Sequence, residues 1–241
     1  YIVTYKIYPS GVVKVDARFT SADMQVAESE VSEATRTATF TPGNDAARKA
    51  AAKLNVPRIG VRFRLPAEMN VVEYFGRGPE ENYIDRNAGT LIGLYKTTAD
   101  KMYYNYVRPQ ENGHHTDTRW LSLSKKGGKR LTIVADSIIG FNALRNSIED
   151  FDSEEALPHP RQWNNFSPEE IANHDEEAAR NVLRRMHHVN DITPRDFVEV
   201  CVDMKQQGVA GYNSWGARPE PGYTIPANQE YNWGFTLIPD K

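Results

Sequence analysis

The stretch Pro57-Arg-Ile-Gly-Val-Arg-Phe-Arg-Leu65 carries the clearest secondary-structure signal in the chain. Apolar residues occupy every second position from Ile59 to Leu65, and arginines fall on the other side of the pattern. A period of two predicts a β-strand with one face in the core and the other half-exposed. The run Phe197-Val-Glu-Val-Cys-Val-Asp203 is rich in β-branched residues and predicts another strand.

The same signals recur along the rest of the chain and predict roughly ten short strands, joined by turns and long loops. The further β-prone segments are a hairpin over Tyr1–Phe19, a strand over Met69–Phe75, two or three strands over Trp120–Phe141 with a turn at Lys125–Lys129, and a closing strand over Tyr231–Ile238. Many short strands with few helices indicate the all-β sandwich class.

Two segments depart from this pattern. Thr20–Asn55 is polar and poor in large apolar residues, so we expect a surface excursion with a short helix at Ala46–Lys53. Ser167-Pro-Glu-Glu170 has the residues of a helix start, which predicts a second helix over Ile171–Met186. We expect residues 1–241 to form a single domain that lacks its N-terminal portion, because the first hairpin begins without any preceding segment.

Composition narrows the possible partners. The net charge of −3, from 29 basic and 32 acidic residues, gives no basic excess for a phosphate backbone, so we expect no nucleic acid partner. No apolar run approaches the roughly 20 residues of a membrane span, so we expect no membrane partner. The single Cys201 sits in an apolar run and is expected to be a small buried side chain. Location in the cytoplasm or in the periplasm stays open.

The segment Gly208-Val-Ala-Gly-Tyr-Asn-Ser-Trp-Gly216 is too rich in glycine and asparagine for regular structure, and yet it contains Trp215. Either the indole packs the loop onto its own domain, or it is presented to a flat ligand such as the apolar face of a sugar ring. An indole that loses roughly 100 Å² of surface to such a ligand gains about 2–3 kcal/mol.

Other candidate sites are weaker. His114, His115 and Asp117 could be metal ligands, as could His187 and His188 with Asp191. Adjacent histidines on an extended chain point to opposite sides, so a hydrogen-bonded loop that joins strand ends is the better interpretation. No nucleophile motif is present, and no pair of acids stands out from solvated surface charge as the carboxylates of a glycoside hydrolase would. We predict no catalytic residue in the chain.

Three stretches together resemble a known family. These are Tyr74-Phe-Gly-Arg-Gly-Pro-Glu-Glu-Asn-Tyr-Ile-Asp-Arg86, Tyr106-Val-Arg-Pro-Gln-Glu-Asn-Gly113 with Asp117 and Arg119-Trp120 after it, and Asp203-Met-Lys-Gln-Gln-Gly-Val-Ala-Gly-Tyr-Asn-Ser-Trp-Gly216. They are similar, in order and spacing, to the motifs of the C-terminal small-chain domain (domain 5) of β-galactosidases in glycoside hydrolase family two.

The resemblance implies a large antiparallel supersandwich, similar to galactose mutarotases. It implies a retaining, homo-oligomeric parent enzyme that cleaves terminal non-reducing β-D-galactose, with its catalytic glutamates in a barrel domain absent from this chain. Trp215 would form an apolar wall for the galactoside, and Asn213 and Ser214, with Gly211, would hold the loop in shape beside it. These three (Trp215, Asn213 and Ser214) are the substrate-binding residues that the resemblance implies. It implies no cofactor or metal in this domain, whereas the parent enzyme could bind Mg²⁺ and Na⁺.

Eight further residues match family positions, and we interpret them as architectural, forming buried charge pairs and loop clamps: Arg77, Asn82, Asp85, Arg86, Gln110, Glu111, Asn112 and Arg119. The chain departs from the family pattern in lacking a W-R-A-P-T-D-N-D stretch and in having Ala210 where a glycine is usual. Two alternatives to a domain of a larger enzyme stay open. One is a free-standing mutarotase-like enzyme, and the other is a carbohydrate-binding module.

Overall fold

The computed structural model describes residues 1–20, 55–107, 109–151, 189, 192–213, 215–227 and 229–240. Several sequence-based expectations concern residues outside these ranges: the two helices, the pair His187 and His188, and Ser214.

The described chain forms nine strands in one antiparallel sheet, which confirms the all-β class. The strands are β1 (Ile2–Ile7), β2 (Val13–Phe19), β3 (Arg58–Pro66), β4 (Val71–Gly78), β5 (Leu91–Thr98), β6 (His115–Ser124), β7 (Arg130–Leu144), β8 (Phe197–Gln206) and β9 (Tyr231–Pro239). A short helix, α1 (Ala99–Met102), follows β5, and 3-10 turns lie at Ile148–Asp150 and Pro221–Tyr223. None of the helices in these ranges has the length and apolar character that crossing a bilayer requires.

Strand β7 is the branch point of the sheet. Its first part, Leu131–Ala135, pairs with β9, and its last part, Gly140–Leu144, pairs with β8. Strand β6 pairs with both parts along the other edge. Because β8 and β9 share one edge of β7, the sheet divides there into a branch β9-β2-β1 and a branch β8-β3, while β6, β4 and β5 continue on the other side.

The core lies on one face of these strands. Val198, Val200 and Val202 of β8 are fully buried in it, together with Phe141 of β7 and Leu121 of β6. The alternate residues of β8 are buried too, although two of them, Glu199 and Asp203, carry charge. Strand β8 therefore separates an apolar core from a buried polar face.

Two strand boundaries differ from the sequence-based expectation. Strand β4 continues to Gly78 instead of ending at Phe75, and β6 begins at His115 inside the predicted polar loop. The glycine at position 76 reflects close packing and not an irregular backbone, because a Cβ there would lie 2.4 Å from Oγ1 of Thr118.

A matched pair of leucine substitutions tests the position of the core. Leu121 is fully buried in β6, whereas Leu94 in β5 is 70% exposed. We expect Leu121→Ala to lower the free energy of unfolding by about 2–5 kcal/mol, because it leaves a cavity among packed side chains. Leu94→Ala should change it by at most about 0.5 kcal/mol. Urea denaturation of the two variants measures the difference, and equal losses would contradict the assigned core.

Candidate functional site

The loop between β8 and the turn at Pro221–Tyr223 carries Trp215 at its tip. The indole is 90% exposed. The backbone N–H of Trp215 donates to Oδ1 of Asn213 at 2.9 Å, which closes a tight turn that begins at Asn213. The neighbouring Tyr212 is also exposed, and its hydroxyl donates to Oε1 of Glu220 at 3.1 Å. Of the two interpretations of Trp215, packing onto its own domain therefore does not hold within the described residues.

The base of the same loop is fixed from a distant part of the sequence. The carboxylate of Asp85 accepts the backbone N–H of Val209 at 3.2 Å and that of Ala210 at 2.7 Å. The N–H of Gly208 donates to the carbonyl of Tyr223 at 2.8 Å, which joins the start of the loop to the turn at its far end. The loop thus has a held base and a projecting aromatic tip.

The segment that contains Asp85 is itself tightly held by Asn82, which is fully buried. Its amide nitrogen donates to the carbonyls of Arg77 and Glu80, each at 3.0 Å. Its amide oxygen accepts the backbone N–H of Thr116 at 2.9 Å and the hydroxyl of Thr116 at 2.6 Å. The side-chain amide of Asn82 therefore makes all four of the hydrogen bonds available to it, which is consistent with its predicted architectural role.

Glu81 joins two of the motif segments. Its carboxylate accepts the backbone N–H of Gly113 at 2.7 Å and the hydroxyl of Tyr83 at 3.3 Å, and it also accepts the hydroxyl of Tyr106. Burial and the adjacent carboxylate raise the pKa of Tyr106 to about 12, because both disfavour a phenolate. Glu81 therefore acts as an acceptor that joins loops.

A buried ionic network lies on the polar face of β8. Arg58 donates from Nε to Oδ1 of Asp203 at 2.8 Å and from Nη2 to Oδ2 at 2.6 Å, while Nη2 also lies 2.6 Å from Oδ1 of Asn142. Glu111 lies 3.4 Å from Nη1 of the same guanidinium. Burial raises the pKa of both Asp203 and Glu111, and the charge of Arg58 opposes that shift. Burial also disfavours charge on Arg58, but Asp203 outweighs it and the guanidinium pKa is raised.

His114 belongs to this network. Its Nδ1 lies 2.8 Å from Oδ1 of Asn142, and its ring stacks on Tyr83 with centroids 5.6 Å apart. The amide nitrogen of Asn142 donates to the carbonyl of Asn112 at 2.6 Å, which turns its oxygen toward His114 and assigns the proton to Nδ1. Burial, followed by repulsion from Arg58, lowers the pKa of His114 to about 3.

The other proposed metal ligands have separate contacts. His115 is buried, with Nδ1 at 3.0 Å from the carbonyl of Gly113 and Nε2 at 3.2 Å from that of Pro79. Asp117 accepts Nε of Arg77 at 2.8 Å. The structure therefore does not bring His114, His115 and Asp117 together, and within the described ranges no three acidic, histidine or cysteine side chains form a group suited to a metal ion.

The remaining family-matched residues divide into two groups. Arg77 also donates to the carbonyls of Asn87 and Thr90, and Arg119 donates to the carbonyl of Asp117. Arg86 and Gln110, by contrast, are exposed, although the guanidinium of Arg86 lies over the ring of Tyr83. Cys201 is buried as expected, and burial raises the pKa of its thiol to about 12.

Sequence reasoning missed part of this arrangement. It found no pair of acids that stood out from solvated surface charge, although Glu199 and Asp203 are each no more than 3% exposed. It also did not single out Arg58 or Asn142. The available signal was the alternation of charged and apolar residues in the β8 segment, which places Glu199, Cys201 and Asp203 on one face.

Together these contacts define an antiparallel β-domain that presents one aromatic loop from a buried polar base. The family model described as "Beta galactosidase small chain" matches residues 1–237, and the chain belongs to that family.

Three curated relatives are each named as β-galactosidases. A "Beta-galactosidase" of Priestia megaterium is 32% identical over 76% of this chain and 15% of its own length. One from Arthrobacter sp. is 40% identical over 49% of this chain and 12% of its own length. "Beta-galactosidase BgaC" of Bifidobacterium adolescentis is 31% identical over 72% of this chain and 14% of its own length. The chain thus spans about 15% of the length of the first of these relatives.

The buried histidine makes the stability of the domain depend on pH. Unfolded histidine titrates near 6.5 and folded His114 near 3, so between these values only the unfolded chain takes up the proton. The stabilising contribution is complete above pH 6.5 and is lost as the pH falls toward 3, at about 1.4 kcal/mol per pH unit.

We therefore expect His114→Gln to reduce the slope of unfolding free energy against pH between about pH 6 and pH 4.5. The reduction should be about 1.4 kcal/mol per pH unit, which is the slope for uptake of one proton. The variant also loses the ring contact with Tyr83, so its stability falls at every pH, and the slope is the informative quantity. Urea denaturation at a series of pH values measures it. Parallel curves for the two proteins would contradict a neutral buried His114.

Proposed function

We propose that the chain is the C-terminal small-chain domain (domain 5) of a retaining β-galactosidase of glycoside hydrolase family two. In this proposal the parent enzyme hydrolyses terminal non-reducing β-D-galactose residues. Its catalytic glutamates belong to a barrel domain outside this chain, and Trp215 completes the galactoside site from this side. Family membership and the 90% exposure of Trp215 on a held loop support the proposal.

The chemistry of the exposed tip suits this role. An indole offers a flat apolar face to the C–H face of a pyranose, and it donates only one hydrogen bond. Asn213 uses its side-chain oxygen on the backbone of Trp215, so its proposed contribution to binding is to fix the turn that orients the indole. Ser214 is proposed as a neighbour in the same site on the resemblance alone.

The carboxylates of Glu81, Glu111 and Asp203 do not favour hydrolysis by this chain itself. Glu111 and Asp203 are occupied by Arg58, and Glu81 accepts hydrogen bonds from three groups.

We propose that Mg²⁺ or Na⁺ in the parent enzyme is bound by its other domains and that the parent is a homo-oligomer.

The two alternatives find less support. A mutarotase-like enzyme needs a histidine and a carboxylate that reach the sugar as acid and base. His114 and His115 are each about 2% exposed, and their ring nitrogens contact protein oxygen atoms. A carbohydrate-binding module would also expose Trp215, so sugar binding by the isolated chain is what separates that alternative from the proposed function.

Replacing Trp215 tests the proposal. In the full-length polypeptide that contains the chain, we expect Trp215→Ala to raise KM for a nitrophenyl galactoside by about 30- to 160-fold. The reason is that roughly 100 Å² of apolar contact, or about 2–3 kcal/mol, is lost. Tyr5→Ala, which removes a 57% exposed aromatic ring from the edge strand β1, is the matched control and should leave KM unchanged.

The isolated chain should neither hydrolyse the galactoside nor interconvert galactose anomers. Hydrolysis by the isolated chain would contradict the proposal that the catalytic glutamates lie in another domain. Anomer interconversion would favour the mutarotase-like alternative. Galactose binding by the isolated chain that Trp215→Ala abolishes, detected by calorimetry, would favour the binding module.

A further inference from the structure

The contact between Asp85 and the Trp215 loop joins two segments that are far apart in the sequence. Both oxygens of the carboxylate are used: Oδ1 accepts the N–H of Val209 and Oδ2 accepts the N–H of Ala210. Hydrogen bonds to an ionised acceptor are about twice as strong as neutral ones, and two of them fix orientation as well as distance. Asp85 therefore holds two successive peptide groups of the loop in a defined direction.

The loop sequence is fitted to this carboxylate. A Cβ at Gly208 would lie 2.5 Å from both Cγ and Oδ2 of Asp85, so only glycine leaves room for the clamp. Directly after the clamp, Ala210 and Gly211 take left-handed conformations with φ of 50° and 78°. An alanine with positive φ is uncommon, and the surrounding contacts must maintain it. Asp85 supplies such a contact through the N–H of Ala210 itself.

Asp85 is in turn held by a rigid support. The backbone N–H of Arg86 donates to the carbonyl of Tyr83 at 2.7 Å, closing a turn around Asp85. The ring of Tyr83 is buried against His114, and Asn82 is anchored by its four side-chain hydrogen bonds. The clamp therefore connects the projecting loop to the interior of the domain.

We propose that Asp85 is a positioning residue for the Trp215 loop and sets the affinity for galactoside without touching the sugar. The carboxylate fixes the peptides of Val209 and Ala210, the left-handed turn at Ala210 and Gly211 sets the exit direction of the chain, and the Asn213 turn then orients the indole. This role rests on the proposed function, because it requires that Trp215 contacts the substrate.

The test uses Asp85→Asn, which keeps the shape of the side chain but places an NH₂ group against one of the two backbone N–H donors. In the full-length polypeptide that contains the chain, we expect hydrogen–deuterium exchange at Val209 and Ala210 to accelerate by about 10- to 100-fold, the factor for losing a hydrogen bond to a charged group. In the full-length polypeptide we expect KM for a nitrophenyl galactoside to rise about tenfold, with kcat within about twofold of the wild type.

A double-mutant cycle separates positioning from general damage. On a Trp215→Ala background, Asp85→Asn should change KM by less than about twofold, because the indole that it positions is gone. Gly208→Ala should reproduce the exchange and KM changes, since its methyl group pushes the loop off the carboxylate, and it serves as the test if Asp85→Asn does not fold. The matched control is Asp117→Asn, which removes the half-buried carboxylate that pairs with Arg77. Asp117 has a positive φ, which asparagine also accepts, so the backbone should not change. This variant should leave KM unchanged.

Three outcomes would overturn the positioning role. Exchange could accelerate in Asp85→Asn while KM stays at the wild-type value, so that the clamp serves the fold alone. KM could rise equally with and without Trp215, so that Asp85 acts through another group. Finally, Trp215→Ala could leave KM unchanged, in which case the proposed function fails and the positioning role fails with it, whatever the exchange data show.

Discussion

The guanidinium of Arg58, which is largely shielded from solvent, is the charge on which the polar face of the domain depends. Asp203 is almost completely buried, and an uncompensated carboxylate there would cost several kcal/mol. Arg58 compensates it through two hydrogen bonds and reaches Asn142 and Glu111 at the same time. Since Asn142 also binds the carbonyl of Asn112 and faces His114, one cation orders two strands and the loop that leads into β6.

The branched sheet places this network next to the loops. Strand β8 carries Asp203 near its end and continues directly into the Trp215 loop, while β7 carries Asn142 beside it. The polar segments before β6 and after β4 meet the same end of the sheet through Glu81 and Asn82. The three sequence motifs are thus parts of one polar layer, and the loop with the exposed indole is attached to that layer through Asp85.

Local sequence pattern was sufficient for the strands, because period-two alternation is a property of neighbouring residues, whereas for Trp215 it left packing and exposure as two open alternatives. It was insufficient for the ionic network. Alternation placed Arg58, Arg62 and Arg64 on one face, but only cross-strand register decides that Arg58 lies buried against Asp203 while Arg64 stays half-exposed. The clamp by Asp85 spans well over a hundred residues, so no local pattern could reveal it.

The separation of the clamp from the Trp215 loop affects how this loop could be reused. A protein engineer who grafts residues 207–216 onto another β-scaffold would transfer the indole and its asparagine turn, but not the carboxylate that fixes the base of the loop. The graft would then sample many directions, and the proposed affinity for galactoside would fall in proportion to the fraction of time that the loop spends in the productive direction. A transplantable unit needs the segment Asn82–Arg86 as well, presented from a neighbouring strand end.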